Sequence, residues 1–292
     1  MKYEAIKANS SEFEVKKMCQ VLGLKTPNYY RWKKQMKKSQ HKIEQELTDI
    51  KRIETIFLES DKIYGYRMIA KKLEKDGHYM SEHRIRRIMR ENGFYPETRK
   101  KYKPTHNGKV DGRYCENLVK QNFKTEKKNE VWVGDITYIK TSIGWVYLAV
   151  VLDLFNREVI GYSISKKIDS ELVKSALGNA IARNGIRDNM IFHSDRGCQY
   201  ASKGFYELLE NNRIKGSMSR PGCPYDNSCA ESFFASLKKE CIYRKNYSTI
   251  EDVKRDMFRY IELFYNRKHM HSVLGYLSPV EYRIEYDAEK VA

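Results

Sequence analysis

Three acidic residues stand where acids are costly. Asp135 falls inside the run VWVGDITYIK, flanked by Val131, Val133 and Ile136. A strand-interior aspartate among β-branched residues costs free energy unless it is paired or bound to a metal. Asp195 closes the short run MIFHS and opens the turn DRG. Ligands gather at the carboxyl ends of such strands. Glu231 lies near the start of a helix, directly after the Gly/Pro-rich loop RPGCPYDN. Carboxylates in this number suit hard divalent cations, which prefer oxygen ligands. Two such ions about 4 Å apart activate an attacking oxygen and stabilise a leaving oxygen in phosphodiester cleavage and joining. No P-loop and no Ser/His/Asp grouping competes for the role.

The surrounding elements must bring these acids together. VWVGDITYIK, GWVYLAVVLDLF and REVIGYSISK are β-rich runs with breaks at 142–144 and at Asn156. A helix follows over DSELVKSALGNAIARNG, capped by Asp169/Ser170 and stopped at Gly185. Then come a buried-type strand (NMIFHSD), a helix (ASKGFYELLENN), a strand (RIKGSMS) and a helix (SCAESFFASLKKECIY). A last long helix is expected from about Ile250 to about His269. The order βββαβαβαα predicts an α/β domain over 129–292, with a mixed sheet and helices on both faces. In that order the first strand is central and the fourth lies beside it, so Asp135 and Asp195 become neighbours.

The part before residue 129 differs in kind. The net charge of the 292 residues is +17. Residues 1–128 hold 32 Lys+Arg against 17 Asp+Glu, whereas 129–292 hold 23 against 21. A basic part joined to a near-neutral one suggests a polyanion-binding module followed by a catalytic one; a merely soluble basic surface is the alternative. Residues 1–40 are expected to form a helix-turn-helix-like segment, with Gly23 as breaker and Thr26-Pro27 opening its second helix. An ordinary helical hairpin fits that segment equally. Residues 41–100 are expected to form a second helical unit, one helix running from Ile43 to Glu59. Its third helix, EHRIRRIMREN, has Ser81 as N-cap and carries Arg84, Arg86, Arg87 and Arg90, which suit a DNA backbone or groove. A solvated helix face is the alternative. Residues 101–128 are expected to be a basic linker.

No stretch approaches the ~20 apolar residues of a membrane span, and MKYEAIKANS has no apolar signal core. A cytoplasmic, nucleoid-associated protein with no membrane partner is expected. Six cysteines without a CxxC pair are expected to be reduced thiols, not a zinc site.

The three acids are 60 and then 36 positions apart, within the words WVGDITYI, HSDRGCQY and DNSCAESFFASLKKE. This resembles the D,D(35)E pattern of retroviral integrases and insertion-sequence transposases, most of all the second-reading-frame protein of the IS-three family. YNRKHMHSVLGYLSPVEY, MCQVLGLKTPNYYRWKK and YGYRMIA…HRIRRIMRENG are similar to that group too. The resemblance spans nearly the whole chain. It implies a ribonuclease H-like core in which Asp135, Asp195 and Glu231 are catalytic and hold metal. It also implies magnesium, with manganese able to substitute and two ions expected. The implied chemistry is hydrolysis at transposon ends followed by attack of a 3′-hydroxyl on another phosphodiester. The His/Cys zinc module of integrases is absent, which favours the bacterial transposase branch.

Several neighbours are candidates. Asn227 is either an N-cap or a contact near substrate or metal water. His193, two before Asp195, is either a substrate-side residue or a satisfied core histidine. Lys238, seven after Glu231 and on its helix face, is a DNA phosphate candidate. Arg267, with Asn266 and His271, is placed near DNA or in solvent. Glu240 points away from Glu231, and Asp153 is expected to be a strand-end residue.

A transposase acting on transposon ends and target DNA, multimeric on DNA, is therefore expected. A first-reading-frame protein, separate or fused, is a possible partner. The rivals are a catalytically inert DNA-binding regulator and a metal-dependent nuclease without strand joining.

Overall fold

The computed structural model describes residues 1–97 and 113–290. The chain divides into two compact units, Met1–Pro96 and Glu97–Ala292.

The first unit is all-helical: α1 (Lys2–Ala8), α2 (Val15–Val21), α3 (Thr26–Glu59), α4 (Tyr66–Lys75) and α5 (Glu82–Glu91). The first helix was not foreseen; its Ile6 is fully buried with Cys19 of α2 and Tyr29 of α3. The expected break between two helical segments near residue 40 does not occur. MKKSQHK, at 36–42, has no Gly or Pro and is rich in good helix formers, so α3 runs through it for 34 residues. At its far end Ile53, Ile56 and Phe57 pack into a second core with Ile69 and Leu73 of α4 and Ile85 and Ile88 of α5. Ser81 caps α5 as expected, accepting from the backbone N–H of Arg84.

The second unit is built on a five-stranded sheet of order β3-β2-β1-β4-β5. The strands are β1 (Val131–Thr141), β2 (Gly144–Asp153), β3 (Val159–Ser165), β4 (Ile191–Ser194) and β5 (Lys215–Met218). The first three are antiparallel; β4 and β5 run parallel to β1. Helices α6 (Ser170–Asn184) and α7 (Lys203–Asn211) close one core around Trp132, Ala149, Val151 and Phe192. Alternation along β1 sends Asp135 to the opposite face, and α8 (Ser228–Glu240) packs against that strand. The mixed α/β, ribonuclease H-like order is as expected.

Two parts of the C-terminal region differ from expectation. The long helix to His269 is instead α9 (Ile250–Phe258) followed by a π-helical stretch, Arg259–Tyr265. A further helix, α10 (Pro279–Glu289), sets Tyr282 and Tyr286 around Phe155, with ring centroids 5.3 and 4.5 Å away. Nor are residues 113–128 a free linker. Arg113 N–H donates to the Ala201 carbonyl, Leu118 N–H to Ser217 Oγ, and Val119 is buried. Cys115 packs against the sheet core, Asn117 is buried, and the Asn117 and Gln121 side chains bond to Asp226, which together dock a segment otherwise rich in polar residues. Residues 101–112 of the expected linker lie outside the described residues. Among those described, no helix is long and apolar enough to cross a membrane.

Candidate active site

Parallel pairing places the first two acids side by side. Gly134 pairs with Ser194, so the next positions along β1 and β4 are Asp135 and Asp195. On its other side Asp135 faces Val150 of β2, which is fully buried. Asp135 is therefore half-buried, and its Oδ1 accepts only 2.7 Å from the next residue's own N–H, that of Ile136. Burial pushes its carboxyl well above the usual range, and the Asp195 and Glu231 carboxylates add to that, while Ile136 N–H and Lys238 oppose it. Asp195 is exposed at the strand end, where its Oδ1 accepts from Gly197 N–H at 3.0 Å.

Glu231 occupies the first turn of α8 and is exposed; partial burial raises its carboxyl. Asp135 senses both other acids, yet among the described residues no three His, Cys, Asp or Glu side chains close into a metal-holding group. Like charges repel until a cation compensates them. A carboxylate raised by burial and by two other acids is a donor set that a hard cation suits.

Lys238 lies beside this group. Its Nζ sits 5.1 Å from the Tyr138 ring centroid; burial lowers its pKa and the Asp135 carboxylate raises it.

The remaining candidates sort differently. Asn227 stands at the N-cap position but does not cap: its Nδ2 donates to the Gly134 carbonyl of β1 at 3.4 Å. Its Oδ1 is buried with no partner among the described residues. It thus ties the start of the Glu231 helix to the Asp135 strand. His193 lies inside the core. It is fully buried, with Nδ1 2.8 Å from Ser217 Oγ and Nε2 3.3 Å from Ser219 Oγ, and burial lowers its pKa. Asn266 does not reach toward DNA either; it donates to the Val159 carbonyl and accepts from Val159 N–H, both at 3.0 Å, bracing the start of β3. His271 is largely enclosed, and burial drops its pKa to about 3. Glu240 accepts from Tyr260 Oη at 2.6 Å and lies 3.2 Å from His269 Nε2, far from a metal-ligand role. Asp153 ends β2 buried, accepting from Asn129 and Phe155 N–H. Arg267 is exposed.

Of the four α5 arginines, two are held by ion pairs to α3 in the first unit while staying partly exposed. Arg84 pairs with Asp49 of α3 at 2.7 Å, and Arg87 bridges Glu46 and Glu91. Asp49 and Glu46 lie 35 and 41 positions away in sequence, which local reading could not see, whereas Glu91 is four positions from Arg87. Arg86 and Arg90 stay exposed and line a cleft of about 590 Å³ with Tyr66, His83, Phe94 and Tyr95. Arg67 and Arg86 both lie over the Tyr66 ring, at 5.6 and 5.8 Å; neither Arg67 nor Tyr66 was anticipated. All six cysteines are unpaired.

Residues 125–224 and 231–286 match models described as integrase core domain, and residues 43–102 one described as HTH-like domain. The chain is 36% identical over 284 residues to the transposase InsF for insertion sequence IS3A of Escherichia coli (strain K12), covering 97% of this chain and 98% of that one. It is 37% identical over 245 residues to the transposase for insertion sequence element IS904 of Lactococcus lactis subsp. lactis (strain IL1403), covering 84% and 96%. Among solved structures, the simian T-cell lymphotropic virus intasome is similar over 73% of this chain and 69% of that one, at 20% identity and TM-score 0.45.

Proposed function

The chain belongs to the IS3 family of insertion-sequence transposases, and on that premise we propose that Asp135, Asp195 and Glu231 are its catalytic carboxylates. As a transposase it is a polynucleotidyl transferase that cleaves and joins DNA strands. The observation that carries the assignment is the register of β1 with β4. It puts Asp135 and Asp195 at neighbouring positions, while α8, the helix that carries Glu231, packs against the same strand.

Asp135 and Asp195 offer oxygen ligands from adjacent strands, and Glu231 offers one from the helix. Two magnesium ions, or manganese, would activate the attacking oxygen and stabilise the leaving one when bound. Lys238 Nζ binds a non-bridging phosphate oxygen and holds the scissile group near Asp135. In joining, a 3′-hydroxyl oxygen bonds to a target phosphorus and the target's own 3′-oxygen departs. Arg86 and Arg90 of the first unit, and Arg267 of the second, contact the DNA backbone or groove. Residues 41–100 form the end-binding unit, and 129–292 the catalytic one. The reaction handles two DNA ends, so the active species is a multimer on DNA. A first-reading-frame protein, separate or fused, supplies further end recognition.

The test is a labelled 3′ end incubated with target DNA. Covalent attachment that disappears in Asp135→Asn, while end binding persists, supports the reading. Hydrolysis without joining would make the protein a nuclease. Binding with neither reaction under any divalent metal would make it an inert regulator.

A further inference from the structure

One carboxylate outside the proposed triad is wholly buried. Asp226 has no exposed surface and lies in the short 3₁₀ turn Pro224–Asn227 that leads into α8. Burying a charge is costly unless hydrogen bonds replace its water. Asp226 receives five, from three residues. Gln121 Nε2 donates to Oδ1 at 2.8 Å, and Asn117 Nδ2 donates to Oδ2 at 2.9 Å. Arg220 donates three times, from its backbone N–H at 2.9 Å, from Nε at 3.1 Å and from Nη2 at 3.2 Å. The Arg220 guanidinium holds the carboxyl well below the usual carboxylate range.

These partners lead toward all three proposed catalytic acids. On one side Asp226 is followed by Asn227, which donates to the Gly134 carbonyl next to Asp135, and then by the helix of Glu231. On the other, Arg220 follows Ser219, whose N–H donates 2.9 Å to the Ser194 carbonyl, one residue before Asp195. Arg196 Nε, one residue after Asp195, donates to the Ser219 carbonyl at 2.9 Å. Asn117 and Gln121 strap the outside of the turn to the segment entering the domain. Charge-assisted bonds of this kind fix geometry more firmly than neutral ones.

We propose that Asp226 is a positioning residue: it sets the start of α8, and with it Glu231, relative to Asp135 within β1 and Asp195 at the end of β4. The proposal rests on the triad assignment above, and part of its test does not. Asp226 touches neither substrate nor the triad itself. Its removal loosens the turn and leaves the sheet and the helices α6 and α7 in place.

The experiment compares the full chain with Asp226→Asn, with Gln121→Ala, and with the exchange Asn117→Asp/Asp226→Asn. The exchange moves the carboxylate across the same hydrogen bond. Three readouts are taken: kcat and KM for end joining, the manganese concentration giving half-maximal rate, and amide hydrogen exchange by segment. For Asp226→Asn the expected result is a kcat loss of about a hundredfold, the size expected for a misplacement of about 1 Å. KM for DNA should stay within about twofold and the manganese requirement should rise. Exchange should quicken over residues 224–232 while β1, β2 and α6 keep their protection. Gln121→Ala, which removes one exposed donor, should show the same pattern at smaller amplitude, and the exchange, which restores the bond to residue 117 but leaves the Arg220 donors facing an amide, should recover only a small part of the rate. Wild-type exchange at 224–232 in Asp226→Asn overturns the proposal, and so does uniform loosening of the whole domain in both single variants. If the wild-type chain joins no ends at all, the triad reading fails while the exchange data still decide whether Asp226 anchors the turn.

Discussion

Gly134 precedes Asp135 on the central strand, and its missing side chain is a steric requirement. A Cβ at this position would lie 2.4 Å from Phe192 Cζ, 3.1 Å from Phe192 Cε1 and 3.2 Å from the Tyr200 hydroxyl. Carbon atoms in ordinary contact sit about 3.5–4.0 Å apart, so roughly 1 Å of movement is needed. The Phe192 ring has little freedom to yield, because it is 2% exposed and packs against Phe205 and Tyr200 at 5.3 and 6.0 Å. Part of the displacement must then fall on β1. Gly134→Ala should cost about 1–3 kcal/mol of stability, the usual range for overpacking. It should also lower the end-joining rate by up to about a hundredfold through the shift passed to Asp135. Gly161→Ala is the comparison. Its Cβ would meet backbone atoms of α6, the Ala176 carbonyl oxygen at 2.5 Å and the Ala180 nitrogen at 2.6 Å, well away from the acids. Urea midpoints should fall in both variants. The joining rate per folded molecule should fall only in Gly134→Ala. Equal rates in the two would refute the claim that the Gly134 contact sets the position of Asp135.

The α5 arginines should separate into two classes. Arg86→Ala and Arg90→Ala should weaken DNA binding and flatten its salt dependence by about one ion each, with little change in thermal stability. Arg84→Ala leaves the buried Asp49 carboxylate without its close partner and should cost roughly 1–3 kcal/mol in a urea melt. The pH dependence of stability should carry the mark of Asp153, whose pKa burial raises from 3.8 to about 6. A folded acid with a raised pKa favours folding while it is protonated, so stability is lost as pH rises from about 4 through about 6. The group's share is about 3 kcal/mol. Asp153→Asn should flatten that limb in urea melts taken between pH 4 and pH 7; an unchanged slope would contradict the assignment. Asn266→Ala removes both bonds to Val159 and should destabilise the second unit by roughly 1–3 kcal/mol, without changing DNA affinity in a mobility-shift assay.

The alternation of VWVGDITYIK and the order of strands and helices determined that Asp135 and Asp195 would lie on adjacent strands. Both follow from local periodicity and from the limited ways a mixed sheet can be connected. The caps at Ser81 and Asp169 were equally legible, because a cap bonds to a residue three positions on. What escaped local reading depends on partners far away in the chain. Whether an α5 arginine faced solvent or α3 was decided by Asp49 and Glu46, 35 and 41 positions earlier. His193 became a core residue because β5 brought Ser217 and Ser219 to its two nitrogens. Residues 113–128 looked like a linker because a polar segment is docked by a few bonds that composition does not register. Asp226 gave no sign in a loop of turn formers, and its burial exists only once residues 117–121 and Arg220 close over it. The identity of the proposed catalytic acids was thus a matter of spacing along the chain, and their alignment a matter of contacts that only the folded domain creates.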